Sequence, residues 1–363
     1  ALMNDIEQLL REMHPRGASD LFLPVGAPPQ FRIHGLLEPN GAGPLDAAAT
    51  ERLASCLLTK GQIEQLKVKK SLDLSRGIEG LARFRINIYL QRDSLALSIR
   101  LIPFTIPSFE WLGLPEIVKD FASRPHGLVL VTGPAGSGKS TTLAAMIDLI
   151  NRERHAHIVT IEDPIEYLFE HHRSVIDQRE IGADVNTFAE ALRCVFRQTP
   201  DVIMVGEMRD LETMQLVLSL AETGHLILAT LHSQDTTHAV NRIVDVFPPA
   251  QQQQIYTQLS LVLVGVIAQQ LLIAKDGSRR VLACEVLNVN HAIRNLIREM
   301  QVQQLYSVIQ TSRAEGMLTM NDSLLRLVKA GMVDAGLAVS RSPRPKELLK
   351  LLHAQNIRGR SNP

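Results

Sequence analysis

Aromatic residues make up only 4% of the 363-residue chain, with a single tryptophan, so few flat side chains exist on which single-stranded bases could stack. An excess of either charge is also missing, since 38 Lys and Arg face 38 Asp and Glu. No overall field draws the molecule to nucleic acid or to an anionic membrane, and no nucleic-acid partner is expected. Cysteine is sparse: Cys56, Cys194 and Cys284 lie far apart and form no CxxC pair. That pattern excludes a disulfide framework and structural zinc, and it fits reduced thiols in the cytoplasm. Long hydrophobic runs are lacking too. The most apolar stretch, residues 259–268, is flanked by glutamines and is too short to span a bilayer. The acid-bearing start around Asp5 and Glu7 lacks the basic and apolar regions of a signal peptide. A soluble, cytoplasmic protein without direct membrane insertion is expected.

What remains suffices for two or three domains, with 45% hydrophobic residues. Ile6, Leu9, Leu10 and Met13 have helical spacing, and residues 21–25 and 31–37 read as short strands around Pro28-Pro29. Two more strands, 83–90 and 94–101, flank the polar turn Gln91-Arg92-Asp93, completing a small α+β domain over 1–101. Pro103 and Pro107 then favour an extended connection, taken as a linker over 102–114. Beyond it, apolar runs at 128–132, 158–161, 202–205 and 226–231 alternate with helical segments at 140–151, 188–197 and 211–222. This alternation predicts an α/β core over 115–288, with a parallel-rich sheet and helices on both sides. Residues 289–363 read as short helices, closing with a proline-interrupted basic tail from Ser340.

The octapeptide Gly133-Pro134-Ala135-Gly136-Ser137-Gly138-Lys139-Ser140 fits GxxxxGK[ST] between a predicted strand and a predicted helix. Glycines let successive backbone N–H groups turn toward phosphate oxygens, and the helix adds its positive end. Lys139 is expected to bridge the β- and γ-phosphates of ATP, and the Ser140 hydroxyl to ligate Mg²⁺. Downstream, Val202-Ile203-Met204-Val205-Gly206-Glu207 is an apolar strand ending in an acid, with Gly206 where a metal-binding Asp often stands. Glu207 would then reach Mg²⁺ only through water. It is the first candidate to orient or deprotonate the attacking water, against the plainer reading of a surface acid at a strand end. Glu162 and Asp163 end the preceding strand and would face the same metal and water, unless they belong to a solvated turn opened by Asp163-Pro164. His232 and His225 bracket the strand 226–231; His232 is placed to sense the γ-phosphate, while either is also explained as a structural histidine. Such sites need extra positive charge in the transition state, and alternation along two strands aims Arg85 and Arg100 at one face. Solvent-exposed strand arginines are the competing explanation.

Taken together, these residues resemble the type IV pilus retraction ATPases of the PilT type, within the secretion and pilus motor ATPases. The likeness runs through Ala18-Ser19-Asp20-Leu21, the arginine strands, the phosphate loop with Thr141, TIEDPIEY, VGEMRD, AETGHLILATLH and NRIVDVFP. Its most discriminating part is Ala292-Ile293-Arg294-Asn295-Leu296-Ile297-Arg298-Glu299, similar to the C-terminal signature of the retraction branch. The resemblance implies an Asp box at Glu162-Asp163, a Walker B motif at Glu207, a His box at His225 and His232, and nucleotide contacts from Arg85 and Arg100. It also implies a homohexamer in which a PAS-like N-terminal domain closes on a RecA-like domain with ATP between them. Force would pass through the 292–299 segment to an inner-membrane platform protein, placing the ring peripherally at the inner-membrane face. Helical spacing of Ile293, Leu296 and Ile297 is equally explained by core packing. The four-cysteine zinc motif usual in extension and type II secretion ATPases is not visible, which favours retraction over assembly. Phe22, Pro24, His34 and the run Gln198-Thr199-Pro200-Asp201 depart from the family pattern and keep open an accessory paralogue working beside a second retraction ATPase. A scaffold subunit with little hydrolysis and a DNA-acting RecA-like ATPase complete the alternatives.

Overall fold

Every second residue along 82–88 is apolar, and a strand with that pattern buries one face and presents the other. The computed structural model describes residues 2–33, 36–78, 81–102 and 105–354, with residues 2–5 placed as backbone only. His34, Pro103 and the tail beyond 354 lie outside the described residues. The chain divides into two compact units: residues 1–105 with 166–168, and 106–165 with 169–363.

The first unit is built on a six-stranded antiparallel sheet. Its strands are β1 (Ala18–Leu23), β2 (Gln30–Ile33), β3 (Leu36–Pro39), β4 (Ser71–Ile78), β5 (Ala82–Gln91) and β6 (Ser94–Ile102), in the order β3-β2-β1-β6-β5-β4. The segment 31–37, expected as one strand, is instead parts of two paired antiparallel strands. Phe84, Ile86 and Ile88 face Leu21, Phe31, Leu97 and Ile99, and the helix Leu2–Met13 closes this core with Ile6, Leu10 and Met13. The other face of β5 and β6 carries polar residues. Register sets Arg32, Asp20, Arg100 and Arg85 side by side across β2, β1, β6 and β5.

The second unit holds a seven-stranded sheet. Its strands are β7 (Gly127–Thr132), β8 (His157–Glu162), β9 (Val175–Glu180), β10 (Val202–Val205), β11 (Leu226–Leu231), β12 (Leu263–Ile273) and β13 (Arg280–Asn288). The order is β13-β12-β7-β11-β10-β8-β9, parallel throughout except for the antiparallel edge pair β12–β13. Leu128 and Leu130 enter the core on one side of the sheet, Val129 and Val131 the core on the other. Burial on both faces explains why these strands contain no polar alternation. The helix Lys139–Glu153 covers one face through Leu143, Met146, Ile147 and Ile150, while Leu211–Glu222 and Thr236–Asp245 cover the other. The apolar stretch 259–268 is the end of the helix Pro249–Val262 followed by the first half of β12. The helices Met320–Lys329, Ala335–Arg341 and Pro345–Ala354 pack through Leu324, Ala338, Leu348 and Leu352 against Val281 and Ala283 of the β12–β13 hairpin. The architecture is therefore α/β, with a parallel-rich sheet preceded by a small α+β unit and followed by helices, as expected.

Candidate active site

In a parallel sheet the C-terminal strand ends share one edge. Four consecutive neighbours, β7, β11, β10 and β8, deliver to that edge the phosphate loop, His232, Glu207 and Glu162-Asp163 respectively.

The loop after β7 depends on an absent side chain. Gly133 has φ 145°, and a Cβ there would stand 2.3 Å from the Gln269 carbonyl oxygen of β12 and 2.6 Å from Ser137 Oγ. The helix Lys139–Glu153 has Gly138 as its N-cap (φ 89°) and no side-chain cap. Its first N–H groups therefore face outward with the positive end of the helix dipole. Lys139 is 9% exposed, and its Nζ donates to the carbonyls of Gly133 at 2.9 Å and Pro134 at 3.0 Å. Ser137 Oγ and Gln269 Oε1 are buried without a hydrogen-bond partner among the described residues. Buried polar atoms are rarely left so; the Ser137 hydroxyl can donate to a phosphate oxygen, whereas Gln269 Oε1 only accepts and calls for a donor such as water. The fit is to a phosphate chain.

Glu207 follows β10. Its Oε1 is 3.1 Å from His232 Nε2, and its Oε2 is 2.6 Å from Arg209 Nη2. Burial works to raise its pKa, but the Arg209 hydrogen bond and the charges of His232, Arg209 and Lys139 outweigh it, and the pKa is lowered. Glu207 is thus an ionised carboxylate within the field of Lys139. Gly206 has a steric reason: a Cβ would lie 3.2 Å from the Ile161 carbonyl and 3.4 Å from Glu162 Cα, so an Asp there would press on β8. Glu162 is buried, and its Oε1 accepts from Thr160 Oγ1 at 2.7 Å and Gln178 Nε2 at 3.2 Å. Asp163 lies beside it and contributes negative charge at Arg209. Thr132 Oγ1 at the end of β7 accepts from Ser233 N–H at 2.9 Å, fixing the residue after His232. No group of three or more His, Cys, Asp or Glu suited to a metal exists among the described residues. Mg²⁺ fits here only with nucleotide oxygens and water completing its shell around a hydroxyl such as Ser140.

His225 is not brought to this edge. It precedes β11 at the opposite end, where Nδ1 meets the Leu220 carbonyl at 2.9 Å and Thr223 Oγ1 at 3.1 Å, and the ring packs edge-on to Phe196. A strand of six residues separates the two histidines, about 20 Å of extended chain. In the first unit Arg100 and Arg85 are direct cross-strand neighbours, and both are exposed. Asp20 Oδ1 accepts from Arg100 Nε at 2.9 Å; Arg85 has no ion-pair partner among the described residues. The segment 292–299 forms most of the helix His291–Arg298, capped by Asn290. Ile293 and Ile297 are fully buried and Leu296 half-buried, while Ala292, Asn295, Arg298 and Glu299 are exposed and Arg294 is partly so. Thr160, Gln178, Arg209 and Ser233 were not singled out from sequence, because polar residues beside a motif carry no spacing signal of their own.

Comparison with known proteins gives the chain's family. Residues 2–276 match the family described as "Type II/IV secretion system protein". The chain is 42% identical over 342 residues to the "Type IV pilus retractation ATPase PilT" of Pseudomonas aeruginosa, covering 94% of this chain and 99% of that one. It is 44% identical over 305 residues to a "Twitching motility protein" of Neisseria gonorrhoeae, covering 84% and 82%. Among solved structures, that of "the Pilus Retraction Motor PilT and Bound ADP" superposes with a TM-score of 0.89 at 46% identity, covering 94% of this chain and 98% of that one.

Proposed function

This chain belongs to the type II/IV secretion system protein family, as a PilT-type pilus retraction ATPase, and from that premise we propose that it is a homohexameric motor coupling Mg²⁺-dependent ATP hydrolysis to type IV pilus retraction. The observation that carries the mechanism is the convergence of Lys139, Glu207 and His232 on the phosphate loop. Residues 133–141 hold the triphosphate through backbone N–H groups, and Lys139 exchanges its loop carbonyls for the β- and γ-phosphates. Mg²⁺, held by Ser140 and phosphate oxygens, would supply charge neutralisation. Because its pKa is lowered, Glu207 is a better orienter of water than an acceptor of its proton, which suits a loose phosphoryl-transfer transition state. Glu162 is the alternative base, fixed in orientation by Thr160 and Gln178. Arg85 and Arg100 add positive charge to the triphosphate from the N-terminal unit, and the helix His291–Arg298 passes force through its exposed face to an inner-membrane platform protein. The ring would dock peripherally at the cytoplasmic side of the inner membrane, and no helix of the described residues is long and apolar enough to cross a membrane. His225 is read as a helix-end residue.

Lys139→Ala should lose nucleotide binding and turnover. Glu207→Gln should keep binding and lose about a hundredfold in kcat, the scale of a lost positioning group. A near-normal kcat in the Glu207 variant, with a deficit in Glu162→Gln, transfers the role to Glu162. Cells without the protein should be piliated but unable to retract; loss of pili would make it an assembly motor. Normal retraction in those cells, with a defect only under load or beside a second ATPase, would make it an accessory subunit.

A further inference from the structure

A glutamate in the middle of an apolar strand needs partners, because a buried carboxylate without hydrogen bonds is strongly disfavoured. Glu285 stands in Ala283-Cys284-Glu285-Val286-Leu287 of β13 and is 2% exposed. Its hydrogen-bond donor comes from another element. Thr236, the first residue of the helix Thr236–Asp245, donates both its N–H (3.1 Å) and its Oγ1–H (2.7 Å) to Glu285 Oε1. The start of the helix Met320–Lys329 lies beside it, and the Met320 backbone acts weakly to lower its pKa. The carboxylate thus sits at the N-terminus of the helix Thr236–Asp245, where negative charge is favoured. Burial pushes its pKa up, and the two Thr236 bonds act against that.

Thr236 ends the loop that begins with His232. The near end of that loop is tied to β7 through Ser233, whose N–H and hydroxyl lie 2.9 and 2.6 Å from Thr132 Oγ1. Asp235 caps the helix through His238 N–H and, among the described residues, makes no side-chain bond to the sheet. The far anchor is Glu285. We propose that Glu285 is a positioning residue for hydrolysis: by clamping Thr236 it holds residues 232–235 so that His232 meets Glu207. This rests on the reading of His232 as part of the hydrolytic site.

The test is steady-state hydrolysis by the full chain, with KM for ATP and thermal melting recorded for each variant. Thr236→Val removes one donor with little change of shape. It should lower kcat about tenfold, the scale of one lost hydrogen bond, with KM unchanged. Glu285→Gln keeps an oxygen that accepts both Thr236 bonds and should restore most of the rate lost in Glu285→Ala. In a His232→Ala background neither Thr236→Val nor Glu285→Ala should lower kcat further, since groups acting through one another are not additive. Full additivity beside a slow His232→Ala enzyme would overturn the positioning role and leave Glu285 a simple buried cap. Wild-type kcat in Thr236→Val would do the same. Wild-type kcat in His232→Ala would instead remove His232 from the hydrolytic site.

Discussion

Gly133→Ala isolates the close approach between the phosphate loop and β12. The new methyl group would lie 2.3 Å from the Gln269 carbonyl and 2.6 Å from Ser137 Oγ, where ordinary contact begins at 3.4 Å. Ser137 can turn its hydroxyl aside. The Gln269 carbonyl cannot, because β12 is paired on both sides, with β7 and β13. Forcing an alanine into an unfavourable positive-φ region costs about 1–2 kcal/mol, and overpacking a fixed site about 1–3 kcal/mol. Together these come to about 2–5 kcal/mol, which in a unit of this size lowers the melting temperature by roughly 4–20 °C. Gly136→Ala is the matched control. It lies in the same loop with φ 74°, but nothing stands within 4 Å of its Cβ, so only the backbone penalty of about 1–2 kcal/mol applies. Thermal unfolding without nucleotide, followed by far-ultraviolet circular dichroism, should therefore rank Gly133→Ala clearly below Gly136→Ala, and nucleotide titration should find Gly133→Ala the weaker binder. Coincident melting of the two variants would refute the steric reasoning.

Arg209→Ala should move the acid limb of the pH–rate profile to higher pH. Burial alone raises the Glu207 pKa and Arg209 is the main influence lowering it, so without Arg209 the carboxylate protonates sooner as pH falls; an unmoved limb would mean Glu207 does not set it. Asp20→Asn should cost about 1–2 kcal/mol of stability in urea titrations, because it removes the carboxylate that Arg32 and Arg100 share in the row beside Arg85. High salt should recover part of that loss, and a salt-independent loss would point to packing instead. The Cys284 thiol is fully buried, and burial pushes its pKa up to about 12. Mass spectrometry after maleimide treatment of the folded protein at mildly alkaline pH should find adducts at half-buried Cys56 and Cys194 but not at Cys284, and equal labelling of all three would contradict this.

The parts of the fold legible in sequence are those where one physical demand dominates. The strands 128–132, 202–205 and 226–231 are buried on both faces and therefore uninterrupted in hydrophobicity, and the phosphate loop between β7 and its helix declares itself by glycine spacing. Edge elements were harder to see. β9 reads Val-Ile-Asp-Gln-Arg-Glu and β4 reads Ser-Leu-Asp-Leu-Ser-Arg-Gly-Ile, because an edge strand can face water and dilute its pattern with charge. The run 259–268 conceals a helix-to-strand junction, since periodicity cannot tell a buried helix end from a buried strand. In the site, Lys139, Glu162, Glu207 and His232 were readable from strand ends. The partners that aim them were not. Thr160, Gln178, Ser233 and Arg209 act through hydrogen bonds that only the folded register creates, although Glu285 left a visible trace as an acid inside an apolar strand.

The sheet separates two kinds of tolerance. Phosphate loop, acids and His232 all leave from the same rim, whereas the rim bearing His225 only terminates a helix and turns the chain back into β11. Changes confined to that second rim would leave Lys139, Glu162, Glu207 and His232 in place, so surface there is open to recharging while the chemistry stays put.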